Sequence, residues 1–213
     1  IRLNPDGSLD RDFGGTATNT LGGTVTYTEN AAPIALDSSV AVFDADLAAL
    51  AGGVGNYSGA SLTLSRNGGA NAQDLFSGLG NLSLSGGNAV LSDVTVGTFT
   101  HSGGQLAITF NANATQARVN GVLSSIGYAN SSDAPPASVQ IDWNFSDGNT
   151  GAQGTGGAQL ASGSTTVNIR AVNEAPTVTN RAAFERYIED TPLNLRDIVI
   201  SDFNMPGFSG LDA

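Results

Sequence analysis

Few residues in this chain could do chemistry. His101 is the only histidine. It lies between Thr100 and Ser102, ahead of Gly103-Gly104, and reads as an exposed turn residue. Asp142 and Asp147 flank Trp143, and a pair of carboxylates is what glycoside hydrolysis uses. In a strand, however, Asp142 points away from Trp143, and Asp147 falls in a turn, so structural roles are expected for both. No serine in a Gly-x-Ser-x-Gly setting has the strand-to-helix context of a nucleophile elbow. There is no cysteine, which removes thiolate chemistry, disulfides and zinc–sulfur sites. Acids and amides remain, as in Asp44-Ala45-Asp46 and Asn173-Glu174. Such pairs are commonly turn residues or solvated carboxylates. The chain is therefore expected to be non-enzymatic.

The net charge supports the same direction. At pH 7 the 213 residues carry a formal charge of −11, and all 8 basic residues are Arg. An acidic surface repels nucleic acid and anionic membrane and attracts cations. If the protein is secreted, bound divalent cations are one substitute for disulfides as staples. The 28 Gly, with abundant Ser, Thr, Asn and Ala, suit turns and sheet edges better than long helices. Hydrophobic residues make up 40%, enough for a packed core. No apolar run approaches the ~20 residues that span a bilayer. The chain opens without Met or a signal peptide and reads as a fragment or processed product.

Short strands dominate the pattern. Alternation marks Thr24–Thr28, and Ile34-Ala35-Leu36 and Val40–Phe43 look like further strand material. Ser61–Ser65, Leu82–Leu84, Val94–Phe99 and Leu106–Phe110 follow, separated by Gly-, Ser- or Asn-rich turns. The clearest half-buried strand is Ser138–Ser146, with Val139, Ile141, Trp143 and Phe145 facing inward. Residues 150–163 read as a Gly-rich loop or weak edge, and residues 164–171 as the last strand. One segment is helical: Thr115 caps a stretch to Ile126 whose Val119, Val122, Leu123 and Ile126 form one apolar stripe. Together these predict an all-β sandwich with one short helix.

The chain also repeats itself. Tyr187-Ile188-Glu189-Asp190 echoes Tyr27-Thr28-Glu29-Asn30. Pro192 and Leu195 echo Pro33 and Leu36, and Ile200–Asn204 echoes Val42–Asp46. This divides the sequence into an N-terminal linker or the end of a preceding repeat (1–23), a sandwich (24–172), a joint (173–176) and the beginning of the next repeat (177–213).

Taken in order, Tyr27–Asn30, Val42–Asp46, Ile108–Asn111, the helix-and-strand stretch Thr115–Tyr128, Phe145–Gly148 and Val172–Pro176 resemble the cadherin-like tandem repeats of very large bacterial surface proteins and adhesins. Related units occur in animal matrix proteoglycans. Residues 1–15, with Asn4-Pro5-Asp6-Gly7-Ser8-Leu9-Asp10 and Phe13-Gly14, are similar to the end of a delta-sixty repeat. The resemblance implies a Greek-key, cadherin-like sandwich at the cell surface or outside the cell, repeated in tandem, with Ca2+ at the joints. It implies a joint site of Glu29, Asn173 and Glu174, with Asp202 and Asn204 from the following repeat and Asp147 as an addition. Asp44 and Asp46 would serve the joint before.

On that reading the partners are neighbouring repeats of the same chain or other copies of it, with a cell-surface glycan or protein as a further ligand. No nucleic acid and no membrane insertion are expected. One alternative is a glycan-binding module using Tyr57, Tyr128 and Trp143. Another is a filament subunit that donates the strand at 184–201 to a neighbour. The run Asp197–Asp212 also resembles the phosphoacceptor segment of response-regulator receivers, with Asp202 as acceptor. The chain has no Lys, and residues 177–196 offer no βα unit, so the internal echo explains these residues better.

Overall fold

The computed structural model describes residues 22–151, 157–179 and 199–201. The first described strands are β1 (Gly22–Thr28) and β2 (Ile34–Ala35), followed by helix α1 (Ala45–Gly53) and strand β3 (Ser61–Arg66). A run of strands comes next: β4 (Asp74–Gly78), β5 (Leu82–Ser85), β6 (Asn88–Leu91), β7 (Val94–Ser102) and β8 (Gln105–Phe110). Helix α2 (Gln116–Leu123) leads into β9 (Ile126–Asn130), β10 (Ser138–Ser146) and β11 (Leu160–Arg170).

The chain divides into two compact units, Ile1–Arg170 and Ala171–Ala213. The first unit is all-β in class, as the alternating pattern predicts. An eight-stranded sheet runs β1-β11-β10-β3-β8-β7-β6-β5, and a three-stranded sheet runs β2-β9-β4. Of the second unit, β12 (Thr177–Thr179) pairs antiparallel with β13 (Val199–Ser201), Thr177 opposite Ser201. Among the described residues no helix is long and apolar enough to cross a membrane.

Strand β11 is the axis of the larger sheet. It pairs in parallel with β1, Val25 opposite Val167, and antiparallel with β10, Trp143 opposite Gly163. Along β10, Val139, Ile141, Trp143 and Phe145 are buried while Asp142 is only partly so. The alternation read from the sequence is therefore the inward face of a central strand. Asp142 accepts from the side-chain amides of Asn67 and Gln140, each at 2.8 Å, on the outer face. Trp143 is fully buried, and its indole N–H reaches Thr165 Oγ1 at 3.0 Å, so the ring fills the core without orphaning its polar atom. Leu62 and Leu64 of β3, Leu106 and Ile108 of β8, and Tyr128 of β9 complete the layer between the sheets.

Helix α2 starts where its cap predicts: Thr115 Oγ1 accepts from the Arg118 amide. Val119, Val122, Leu123 and Ile126 are all buried, the last in β9 rather than in the helix.

Several expectations fail. Among the described residues there are two helices, not one. Residues 40–43 are not a strand, because the Val42 amide donates to Asn120 Oδ1 at 3.0 Å and the Val42 carbonyl accepts from the Gln116 side chain. Side chains of α2 thus take the backbone groups a sheet neighbour would have used. Asp44 then caps α1, its Oδ1 accepting from the Leu47 amide at 2.8 Å. Strands β4 and β6 were not anticipated, and residues 160–163 belong to β11. His101 is a strand residue of β7, its ring 5.7 Å from that of Phe76.

Two hairpins, Ser85–Asn88 and Ser102–Gln105, close through Gly-Gly pairs with positive φ at both positions, the requirement of a two-residue turn matched to strand twist.

Candidate metal centre

The lower end of the sandwich, taken as the end where β1 and β11 finish, gathers two loops. The chain turns sharply after Thr28. The Glu29 amide donates to the Arg170 carbonyl at 2.9 Å, the Ala31 amide to Thr28 at 3.0 Å, and Asn30 takes a φ of +60°. The hydroxyl of Tyr27 donates to the Ala31 carbonyl at 3.2 Å, and its ring stacks edge-on against Tyr128. These ties draw Glu29 inward until only 3% of it is exposed.

The β9–β10 connection arrives at the same end. The Ser131 amide donates to Gln73, Asn130 Oδ1 accepts from the Ser132 amide at 3.0 Å, and Ser132 Oγ accepts from Ala134 at 3.2 Å. At its far side the Ala137 carbonyl accepts from Ile169 at 2.8 Å. Asp133 stands exposed in this pinned loop.

Glu29 and Asp133 bring carboxylate oxygens within 4.8 Å of each other. Two carboxylates this close repel each other, and a divalent cation turns the repulsion into attraction. Oxygen donors of this hardness suit Ca2+ or Mg2+ and not a soft metal. Calcium takes six to eight oxygens, so two carboxylates binding through one or both oxygens would leave the rest to other oxygens and water.

The sequence-predicted residues separate into groups. Glu29 falls in this pair, while Asn173, exposed, and Glu174, half-buried, belong to the second unit. Asp202 and Asn204 lie outside the described residues. Asp147 does not join Glu29. It follows β10, its amide donating to the Gln159 carbonyl at 3.1 Å, whereas Glu29 is bonded to Arg170. Gln159 and Arg170 sit at opposite ends of β11, and 11 residues of strand place those ends roughly 33 Å apart at ~3.3 Å per residue. Asp147 instead shares a cavity with Asp44 at the upper end. Asp46 is an exposed first-turn residue of α1. Asp133 went unpredicted: nothing in Asp133-Ala134-Pro135-Pro136 distinguishes a ligand from an ordinary loop acid. Only the sheet topology brings it to Glu29.

A second polar cluster is structural. Asp74 is fully buried and receives Arg66 through both oxygens, Nε to Oδ2 at 2.8 Å and Nη2 to Oδ1 at 2.6 Å. Tyr128 Oη and Asn130 Nδ2 also donate to Oδ1, at 2.7 and 3.1 Å. The Asp74 carboxylate holds the Arg66 guanidinium above its usual pKa range. Burial, reinforced by the bond to Asp74, pushes the Tyr128 phenol up. Every strong donor is satisfied, which is the signature of a core clamp and not of a waiting site.

No family model, curated protein or solved structure matches this chain.

Proposed function

We propose that this chain is a non-enzymatic, extracellular module of a large bacterial surface protein, a spacer or adhesive unit of the cadherin-like tandem-repeat kind. Calcium is bound at the lower end of the sandwich. The observation that carries it is the meeting of buried Glu29 with Asp133, carboxylate oxygens within 4.8 Å. The motif order read from the sequence and the all-β fold support the family reading, and the charge of −11 supports a cation as the ligand. The ion neutralises the carboxylates and ties the β9–β10 loop to the turn after β1, so the end of the module stiffens.

The test is a thermal melt in excess calcium and again in chelator, on the wild type and on Glu29→Gln. Selective binding at a hundredfold over the dissociation constant adds about 2.7 kcal/mol, a shift of several degrees. The wild type should show that rise, larger with calcium than with magnesium, and Glu29→Gln should lose most of it. Superimposed melts would remove the metal assignment, and with it the stiffening role.

The glycan reading has lost its platform, since Tyr57, Tyr128 and Trp143 are all fully buried. The strand proposed for donation, 184–201, lies outside the described residues except for its last three.

A further inference from the structure

The upper end of the sandwich carries a cavity of about 170 Å³ lined by Val42, Phe43, Asp44, Phe145, Asp147, Gln159, Leu160 and Ala161. Three of its features point to a ligand. The first is unspent apolar surface: Phe43 is 43% exposed and Leu160 is 69% exposed, two of the six large exposed hydrophobics among the described residues. The second is charge: among the described residues two carboxylates line the cavity and no cationic side chain does. The third is rigidity.

The Phe43 wall is pinned by Asn120 and Gln116 of α2 on Val42, and by the Asp44 amide donating to Tyr57 Oη at 3.2 Å. Tyr57 in turn donates to Gln116. The opposite wall is fixed by Asp147, whose Oδ1 accepts from the Asn149 and Gln159 amides, both at 2.9 Å. A pocket held this way loses little entropy when it is filled.

Size limits the occupant. Sites for whole small molecules run to ~300–1,000 Å³, so this cavity is scaled for one side chain. Aromatic walls beside two carboxylates suit a planar, delocalised cation better than a compact ammonium: the guanidinium stacks on a ring face and offers a fork of donors to the acids. We propose that this cavity is an anchor pocket for an arginine side chain presented by a protein partner. Such single buried arginines carry a large share of the energy of many protein interfaces. The pocket is separate from the Glu29 group, and the proposal does not depend on the calcium reading.

The experiment is a titration of the full, nitrogen-15-labelled chain with N-acetyl-arginine methylamide, followed by amide shifts in NMR. The citrulline compound, equal in shape and uncharged, is the control. Saturable shifts centred on Phe43, Asp44, Asp147 and Leu160 are expected, with citrulline about tenfold weaker. Phe43→Ala, an exposed position that the fold tolerates, should weaken the arginine compound severalfold and leave the melting temperature nearly unchanged. The proposal is overturned by equal binding of citrulline, by an unchanged affinity in Phe43→Ala, or by the absence of saturable shifts at these residues. It is equally overturned if calcium chloride shifts them and the arginine compound does not, which would make the site a metal pocket.

Discussion

Replacing Asp74 by alanine should come close to unfolding the first unit. The carboxylate is fully buried, and three groups depend on it: Arg66 through two bonds, the Tyr128 hydroxyl, and the Asn130 amide. Breaking a buried ion pair from one side costs about 3–5 kcal/mol. The Arg66 side chain keeps 18% of its exposure, so water relieves part of that, and the lower end, ~3 kcal/mol, is appropriate. The Tyr128 hydroxyl loses its acceptor, about 1–3 kcal/mol more, since the bond it receives from Asn130 Nδ2 at 3.3 Å uses its oxygen and leaves its proton without a partner. The total is roughly 4–6 kcal/mol against a typical domain stability of about 5–15 kcal/mol.

Urea unfolding followed by the fluorescence of Trp143, the only tryptophan and fully buried, reads this directly. At a slope of ~2 kcal/mol/M the midpoint should fall by about 2–3 M. Asp74→Asn should fall between, keeping an acceptor for Tyr128 but losing the charge. Asp74→Leu combined with Arg66→Met should be milder than Asp74→Ala, since removing both charges leaves none uncompensated. A loss below ~1.5 kcal/mol for Asp74→Ala would refute the clamp, because that is the scale of one ordinary hydrogen bond.

Two further outcomes follow from the same core and its turns. Gly104 has φ +81°, and a Cβ there would sit 1.7 Å from the Asn71 carbonyl oxygen. Gly104→Ala should therefore cost more than ~2 kcal/mol, while Gly103→Ala, with open space at φ +60°, should cost about 1 kcal/mol in the same urea assay. Equal costs would show that the 71–74 segment yields easily. In alkali, burial holds the Tyr57 and Tyr128 phenols above their usual value. A raised folded pKa means that stability is complete below the ordinary tyrosine value of ~10 and drains away as pH climbs past it. Melting temperatures should be level from about pH 8 to 9.5 and fall above ~10, less steeply in Tyr128→Phe. A curve as flat above that point as below it would contradict the assignment.

The sequence showed most of the fold wherever one physical rule acts alone. The β10 pattern was legible because its two faces meet core and solvent, and α2 because Thr115 caps it and its stripe is apolar. Residues 40–43 were misread because their alternation is genuine but their hydrogen bonds go to Asn120 and Gln116, some eighty positions away. Strand β4 hides because it begins with an aspartate, a residue depleted in strands, that only the distant Arg66, Tyr128 and Asn130 make tolerable. At the candidate centre, Glu29 could be named from its motif. Asp133 could not, since its loop has the composition of any connection and its value comes from where the β9–β10 crossing ends. Asp147 fails in the opposite way: it belongs to a recognisable motif, but the run of β10 carries it away from Glu29.

That separation also decides how the two proposals stand to each other. Strand β11 is the shared scaffold, with Gln159 and Leu160 at the cavity and Arg170 bonded to Glu29. Sites roughly 33 Å apart along a packed strand, with no residue in common, should respond independently, because additivity fails mainly between groups in contact or in one network. Each site is also fastened locally, the cavity by α2 and the bonds of Asp147 to the Asn149 and Gln159 amides, the carboxylates by the Tyr27 and Asn130 loops. A calcium-insensitive melt would therefore leave the arginine pocket standing, and a silent arginine titration would leave the metal centre standing. Only damage to the β1–β11–β10 ladder itself reaches both, and such damage would announce itself first in the fluorescence of Trp143.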